Sequence, residues 1–185
     1  VITLAMFPLL QIDTDPENML NHDAPARVFH NQIKQDFVMH DMVVVGAVSQ
    51  DSIYRVEHLT VLNQLSEFIQ SLDHVILKDY LALNVVDNIS QQLDANGNNQ
   101  GIKFSYLMKQ APDSDEQAQA IQAAVKRLPM LEDTLVSGDD KAAAIYIPLT
   151  SKDKSYDIAE QIRNFAAGLD TDLAIHITGL PIAED

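Results

Sequence analysis

Two short apolar runs set the strongest limit on what this chain can fold into. They are MVVVGAV, Met42–Val48, and AAAIYIPL, Ala142–Leu149. Continuous runs of this length that are rich in branched residues are typical of central strands covered on at least one face. Two further runs, LAIHIT at Leu173–Thr178 and IKFSYLM at Ile102–Met108, alternate between the two faces that a strand presents. The chain is therefore expected to contain β-sheet.

Four amphipathic patterns lie between these runs and predict helices. In each pattern apolar residues recur every three or four positions, which commits one helical face to a core. Asp23 is a candidate cap for the first helix, and Ser114 and Gln117 have capping-box spacing at the start of the third. The positions expected to face the core are Val28, Phe29, Ile33 and Phe37; Val56, Leu59, Leu62, Leu65, Ile69 and Leu72; Ala118, Ile121, Val125 and Leu128; and Ile158, Ile162, Phe165 and Leu169.

The order of the predicted elements indicates an α+β fold in two similar parts. With LEDTLV, Leu131–Val136, as a further strand, the second half follows the order β α β β α β of a ferredoxin-like split βαβ unit. The first half follows a related order, with strands within Val1–Ile12 and within Val75–Val86. LDANGNNQG, Leu93–Gly101, is a polar, Gly- and Asn-rich stretch and is predicted to be a linker. The expected division is residues 1–93, a linker at 94–101, and residues 102–185.

Charge and composition exclude several classes of function. The 185 residues include 27 Asp plus Glu against 12 Lys plus Arg, and the formal net charge is −15. A chain of this charge without a basic cluster is a poor match for nucleic acid or for an anionic membrane surface. The absence of cysteine removes disulfides, thiolate catalysis and cysteine-based zinc sites. No apolar run reaches the roughly 20 residues that a membrane span requires, and Val1–Leu10 lacks the basic leader of a signal peptide.

The candidate metal ligands are explained better as ordinary surface and turn residues. His22, His30 and His40 are scattered among polar neighbours, without the spacing that places two imidazoles on one helical face. Asp13 and Asp15 form a DxD pair of the kind that holds a divalent cation against a phosphate. They also precede Pro16 in a sequence typical of a turn, and the turn is the stronger interpretation. No metal site and no cofactor are predicted.

No catalytic constellation is visible either. The chain contains no GxSxG, P-loop or GxGxxG sequence. An acylphosphatase-like activity would need an arginine that holds a phosphate in a strand-to-helix loop, and among such loops only Arg55 is basic. The chain is therefore predicted not to be an enzyme. Four bulky side chains could line a cleft for a hydrophobic ligand, but the packed face of a sheet is the commoner outcome for such a stripe: Tyr80, Phe104, Tyr106 and Met108.

Two segments, DTDPENML at Asp13–Leu20 and TGLPIAED at Thr178–Asp185, are the most specific motifs of the chain when taken together. They resemble, in order, segments of one branch of the RND (resistance-nodulation-division) superfamily of exporters, in which HITGLPIAED, His176–Asp185, corresponds to the return toward the membrane. RVFHNQIKQDFVMHDMVVVGAV resembles the first helix and strand of that family's extracytoplasmic loop, and LVSGDDKAAAIYIPL resembles its later hairpin. The branch contains the mycobacterial large membrane proteins, the hopanoid exporters and Patched-like proteins. The likeness spans nearly the whole chain.

The resemblance implies an excised porter domain, located on the periplasmic side of a bacterial inner membrane. In this family the loop follows the first transmembrane helix and returns to the second, and the whole protein exports lipids or other hydrophobic compounds using the proton-motive force. The expected partners are a hydrophobic molecule or lipid, the second extracytoplasmic loop of the same transporter, and the membrane through flanking helices outside this chain. A tripartite complex with an outer-membrane channel is not expected. The resemblance assigns no residue to substrate binding. The alternative is a free-standing ferredoxin-like module that binds or senses a ligand.

Overall fold

The protein is an α+β protein in which each of the four predicted helices forms. The computed structural model describes residues 19–36, 39–94 and 97–179, so the strand predicted within Val1–Ile12 lies outside the described residues. The helices are α1 Pro25–Asp36, α2 Val56–Gln70, α3 Asp115–Lys126 and α4 Ser155–Ala167. The strands are β1 Met42–Val48, β2 Asp87–Leu93, β3 Asn99–Tyr106, β4 Ala142–Pro148 and β5 Ala174–Thr178; short 3₁₀ turns cover Leu77–Asp79 and Lys152–Lys154.

Strand β1 is the centre of a three-stranded sheet with the order β4-β1-β5. Both neighbours run antiparallel to it, so β4 and β5 are parallel to each other and separated by one strand. Val45 is paired with Ile145 on one side and with Ile177 on the other. Along β1 buried residues alternate with more exposed ones, as expected for a strand covered on one face.

Helices α2 and α4 pack side by side on the covered face of this sheet. Val43 and Val45 of β1 share a core with Leu65 of α2 and with Ile158 and Ile162 of α4. The two helices also meet through Phe68 and Phe165, whose rings are stacked with centroids 4.0 Å apart. The predicted faces of these helices are therefore the faces that the core uses.

Helix α3 completes a second cluster beside α2. Its N-terminus is capped by Ser114, whose Oγ accepts a hydrogen bond from the amide of Gln117 at 3.4 Å. The Gln117 side chain reaches back to the amide of Asp113 instead of that of Ser114, so the capping box forms one residue early. The buried residues of α3 are Ala118, Ile121, Ala124 and Val125, which lie in one cluster with Leu59, Leu62 and Met108.

The stretch Leu93–Gly101, predicted to be a linker, lies at the turn of a β-hairpin. Strand β2 pairs antiparallel with β3, and Leu93 and Gly101 both lie in the paired strands. The sheet β4-β1-β5 takes one strand from residues 1–93 and two from residues 102–185. The hydrogen-bonded sheet is therefore common to both predicted parts of the chain.

Two other predicted strands form only isolated β-bridges instead of regular strands. Within Val75–Val86, Val75 bridges Leu149 and Leu81 bridges Tyr146 on the outer edge of β4. LEDTLV contributes a bridge from Val136 to Ala143. These short contacts cover the outer edge of β4 without forming a regular strand.

The apolar face of α1 differs from its prediction as well. Val28 is 50% exposed and Phe29 is 65% exposed, so neither is packed into a described core. Ile33 is half-buried, and Phe37 lies outside the described residues. The periodicity identified an amphipathic helix correctly, but it carried no information about what covers the apolar face.

The Ile162→Ala substitution tests the packing of α4 on the sheet. Ile162 is fully buried among Val43, Val45 and Ile145, so its truncation leaves a cavity and we expect a loss of about 2–5 kcal/mol in unfolding free energy. Urea denaturation of both proteins measures the difference. Tyr156→Ala on the same helix is the control, because Tyr156 is exposed and its loss should cost far less. Equal effects of the two substitutions would show that α4 does not pack as described.

Candidate apolar binding surfaces

The hairpin of β2 and β3 exposes a cluster of large apolar side chains. Ile89 stands directly opposite Phe104 in the register, and Ile102 and Tyr106 lie two positions to either side on the same face. We call this cluster the hairpin patch. Its exposures are Ile89 49%, Ile102 64%, Phe104 66% and Tyr106 53%.

The opposite face of the hairpin is polar and more covered. Asn88, Ser90 and Ser105 are half-buried there, and Arg127, the residue after α3, donates a hydrogen bond to the Asn88 side chain at 3.2 Å. A two-stranded ribbon normally turns its apolar face toward the protein and its polar face toward water. Here the arrangement is reversed. A contiguous apolar cluster left in solvent by such an arrangement is typical of a binding surface.

The stripe of bulky residues singled out in the sequence is divided by the fold. Phe104 and Tyr106 belong to the hairpin patch, whereas Met108 and Tyr80 are buried in the two cores. The Tyr80 hydroxyl lies 2.8 Å from Ser66 Oγ, and burial raises the pKa of this tyrosine despite that hydrogen bond. The four side chains therefore do not line one cleft.

The face of the three-stranded sheet opposite α2 and α4 carries a shallow groove of about 290 Å³. Its floor is formed by small residues, Gly46 of β1 with Ala142 and Ala144 of β4, and nothing lies within 4 Å of the space above Gly46. Tyr146 forms a wall, and its hydroxyl donates to the Thr134 carbonyl at 2.9 Å. The volume is at the lower end of the range for small-molecule sites, roughly 300–1,000 Å³. This groove is a secondary candidate for an apolar ligand.

A buried histidine ties the start of α2 to the loop before β5. His58 is only 1% exposed, and its Nδ1 lies 2.7 Å from the carbonyl oxygen of Ser52. Its Nε2 lies 2.7 Å from Oδ1 of Asp172, and Arg55 Nη1 approaches the other oxygen of that carboxylate at 3.8 Å. The hydrogen bond from His58, helped by the charge of Arg55, lowers the pKa of Asp172.

Both ring nitrogens of His58 therefore face oxygen atoms that only accept hydrogen bonds. Each ring nitrogen is within hydrogen-bonding distance of its oxygen, the Ser52 carbonyl on one side and the Asp172 carboxylate on the other. The pair therefore connects the start of α2 to the loop before β5.

The histidines considered as metal ligands are not gathered by the described structure. His40 pairs with Asp79, with 3.2 Å between Nε2 and Oδ2. Among residues 19–36, 39–94 and 97–179, no three His, Asp or Glu side chains come together in a geometry that could hold a metal ion. Asp13 and Asp15 lie outside the described residues. The prediction that the protein holds no metal stays a prediction.

Sequence reasoning missed β2 and the role of His58. DNISQQL has one large apolar residue between its ends and reads as a polar connection, and its partner strand supplies the pairing that makes it a strand. His58 was passed over because its partner Asp172 is 114 positions away. The alternation in IKFSYLM did indicate a strand with an apolar side, but not that this side faces solvent.

Replacement of Asp172 with asparagine tests the ion pair. The folded state lowers the pKa of Asp172, so its contribution to stability is present above the carboxyl's unfolded pKa of about 3.9 and is lost as the pH falls through the lower folded value. We expect Asp172→Asn to lower stability at neutral pH and to flatten its decline in acid. Urea midpoints measured from neutral pH down to about pH 3 report this. Asp170→Asn, which removes a nearby carboxyl without a His58 contact, should leave the acid profile unchanged; identical profiles for all three proteins would contradict the pairing.

Comparison with known proteins assigns no family and no function to this chain. Within the described part of the chain, no helix is long and apolar enough to cross a membrane. No family model matches the chain. A search of curated proteins also finds no match. The likeness to RND exporters therefore rests on the quoted segments.

Proposed function

We propose that this chain is the extracytoplasmic substrate-handling domain of an RND-type exporter, placed between its first two transmembrane helices on the periplasmic side of a bacterial inner membrane. The substrate class is a lipid or another hydrophobic compound. The hairpin patch contacts this substrate. The second extracytoplasmic loop of the same transporter forms the other part of the contact surface. The protein then has no catalytic residues of its own.

The observation that supports the proposal most is that, among the described strands, the first strand of the sheet begins beside the point where the last one ends. Strand β1 begins at Met42 beside the end of β5, where Val44 is paired with Thr178. The next residue, Gly179, has φ 157°, and a Cβ placed on it would lie 2.5 Å from the Met42 carbonyl oxygen. A domain inserted between two neighbouring membrane helices needs its two connections close together. Among the described residues, the start of β1 and the end of β5 are in backbone contact, and α1 precedes β1 in the chain.

The topology supports a ferredoxin-like unit of the porter type. β4 and β5 are parallel, are connected by α4, and have β1 between them, which is a split βαβ arrangement. β1 and the segment at Leu81 are connected through α2. Both run antiparallel to β4, which lies between them. Along the chain, β1, α2, the Leu81 segment, β4, α4 and β5 therefore follow the order β α β β α β. In this interpretation the hairpin and α3 are an insertion between the second and third strands.

The exposed apolar residues support a hydrophobic substrate. The hairpin patch is reachable from solvent and neutral except for its neighbour Asp87, in a chain whose formal net charge is −15. An apolar surface that stays accessible permits a ligand to bind and leave again, and transport requires both steps.

The second candidate is a free-standing ferredoxin-like module that binds or senses an apolar ligand. The groove above Gly46 favours it, because that site needs no partner domain. The parent reading frame separates the two candidates. An exporter loop must be followed closely by about 20 consecutive apolar residues, and a free-standing module must not.

The Phe104→Ser substitution tests the role of the hairpin patch. Phe104 is the most exposed member of the patch, so its loss should weaken binding of an apolar fluorescent probe about five- to tenfold while leaving the unfolding free energy nearly unchanged. Fluorescence titration, with displacement of the probe by phospholipid, measures the affinity. Leu77→Ser is the matched control, since Leu77 is similarly exposed but lies outside the hairpin. If the wild-type protein binds no probe, or if both substitutions act equally, the patch is not the substrate surface.

A further inference from the structure

The outer edge of β5 ends the three-stranded sheet without a partner strand. β1 occupies one side of β5, and no residue in the described ranges pairs with the other side. The opposite margin of the sheet differs, because Val75, Leu81 and Val136 form bridges along β4. A strand edge with free N–H and C=O groups is a template for pairing with another extended segment, and proteins usually shield such an edge.

A groove of about 330 Å³ lies beside this edge, between α4 and β5, and both polar and apolar groups line it. A strand added to β5 would direct every second side chain toward the face that carries α4. Those side chains would enter the groove, while the backbone would satisfy the free edge. The apolar lining comes from Ala166, Ala167, Leu169, Leu173, Ile175 and Ile177.

The charge at the groove limits what can occupy it. Arg163 is the cationic residue in its lining, is exposed, and makes no ion pair with any described residue. A guanidinium at the rim favours an occupant that brings a carboxylate. A second copy of this chain is a poor occupant, because it would bring a further net charge of −15 against the first.

We propose that the outer edge of β5 binds an extended polypeptide segment from outside these 185 residues, which adds as a fourth strand of the sheet. Its alternate apolar side chains fill the groove, and one acidic side chain pairs with Arg163. The bound segment continues the order β4-β1-β5 by one strand. This inference does not depend on the transport function and holds equally for a free-standing module.

The test uses a synthetic nine-residue peptide that alternates valine with threonine and carries one central glutamate. On addition to the whole 185-residue chain, we expect shifts in the NMR signals of the Ala174–Thr178 amides, with saturation. A peptide of the same sequence with methylated backbone nitrogens should not bind, because it lacks the donors for strand pairing. Binding by both peptides alike would overturn the proposal, since side-chain contacts with the groove, and not strand pairing, would then account for the binding.

Three variants locate the contact, each first checked by thermal denaturation for unchanged folding. Arg163→Glu should weaken binding about tenfold, whereas Lys109→Glu, the same charge change at an exposed site outside the groove, should not. Ala167→Trp should abolish binding by filling the groove. Unchanged affinity in both Arg163→Glu and Ala167→Trp would place the peptide elsewhere and overturn the proposal.

Hydrogen exchange of the free protein shows whether the edge of β5 is already covered, either by other residues of the same chain or by a second copy. The β5 amides that do not bond to β1 should exchange quickly without peptide and slowly with it. Slow exchange at every protein concentration would mean that the chain's own residues already cover the edge. Slow exchange only at high concentration would mean that a second copy does. Either result would overturn the proposal.

Discussion

Strand β1 is hydrogen-bonded to a strand on each of its two sides, and this double pairing holds the three-stranded sheet together. β4 and β5 do not contact each other through hydrogen bonds, and they are held in one sheet because each is bonded to β1. The buried residues Val43 and Val45 then provide the surface on which α2 and α4 pack. Because every neighbour of β1 is antiparallel to it, the chain returns to the start of β1 when β5 ends. The close approach of Met42 and Gly179 follows from that geometry.

The parts of the fold that sequence alone predicted are those with a strong local signal. β1 and β4 are continuous runs of branched and small apolar residues, and the helix boundaries followed the 3.6-residue periodicity and, at Ser114, a side-chain cap. β2 was not predicted because strand formation there depends on pairing with β3 and not on the residues themselves. The turn signals in LDANGNNQG were real, and they mark the end of the β2-β3 hairpin.

In the candidate site, too, features set by neighbouring residues in the sequence were predictable, and features set by distant residues were not. Alternation in β3 identified which side chains share a face, since that depends only on the period of a strand. Whether that face is covered depends on which other element packs there, and no local pattern specifies this. The burial of His58 and its two acceptors likewise arises from a loop far along the chain. The sequence contained the residues of the site but not the distances that give them a role.

The central position of β1 also affects how the protein folds. Val45 pairs with Ile145 and Ile177, about 100 and 130 positions later, so neither side of β1 can be satisfied until most of the chain has been synthesised. Topologies dominated by such distant pairings fold slowly, because the loop-closure entropy is lost before the contacts form. During that interval MVVVGAV is an uncharged, β-prone segment with both edges open, the type of segment that aggregates from partly folded states. The strand that holds the native sheet together is thus the segment most exposed to misassembly while the nascent chain leaves the ribosome.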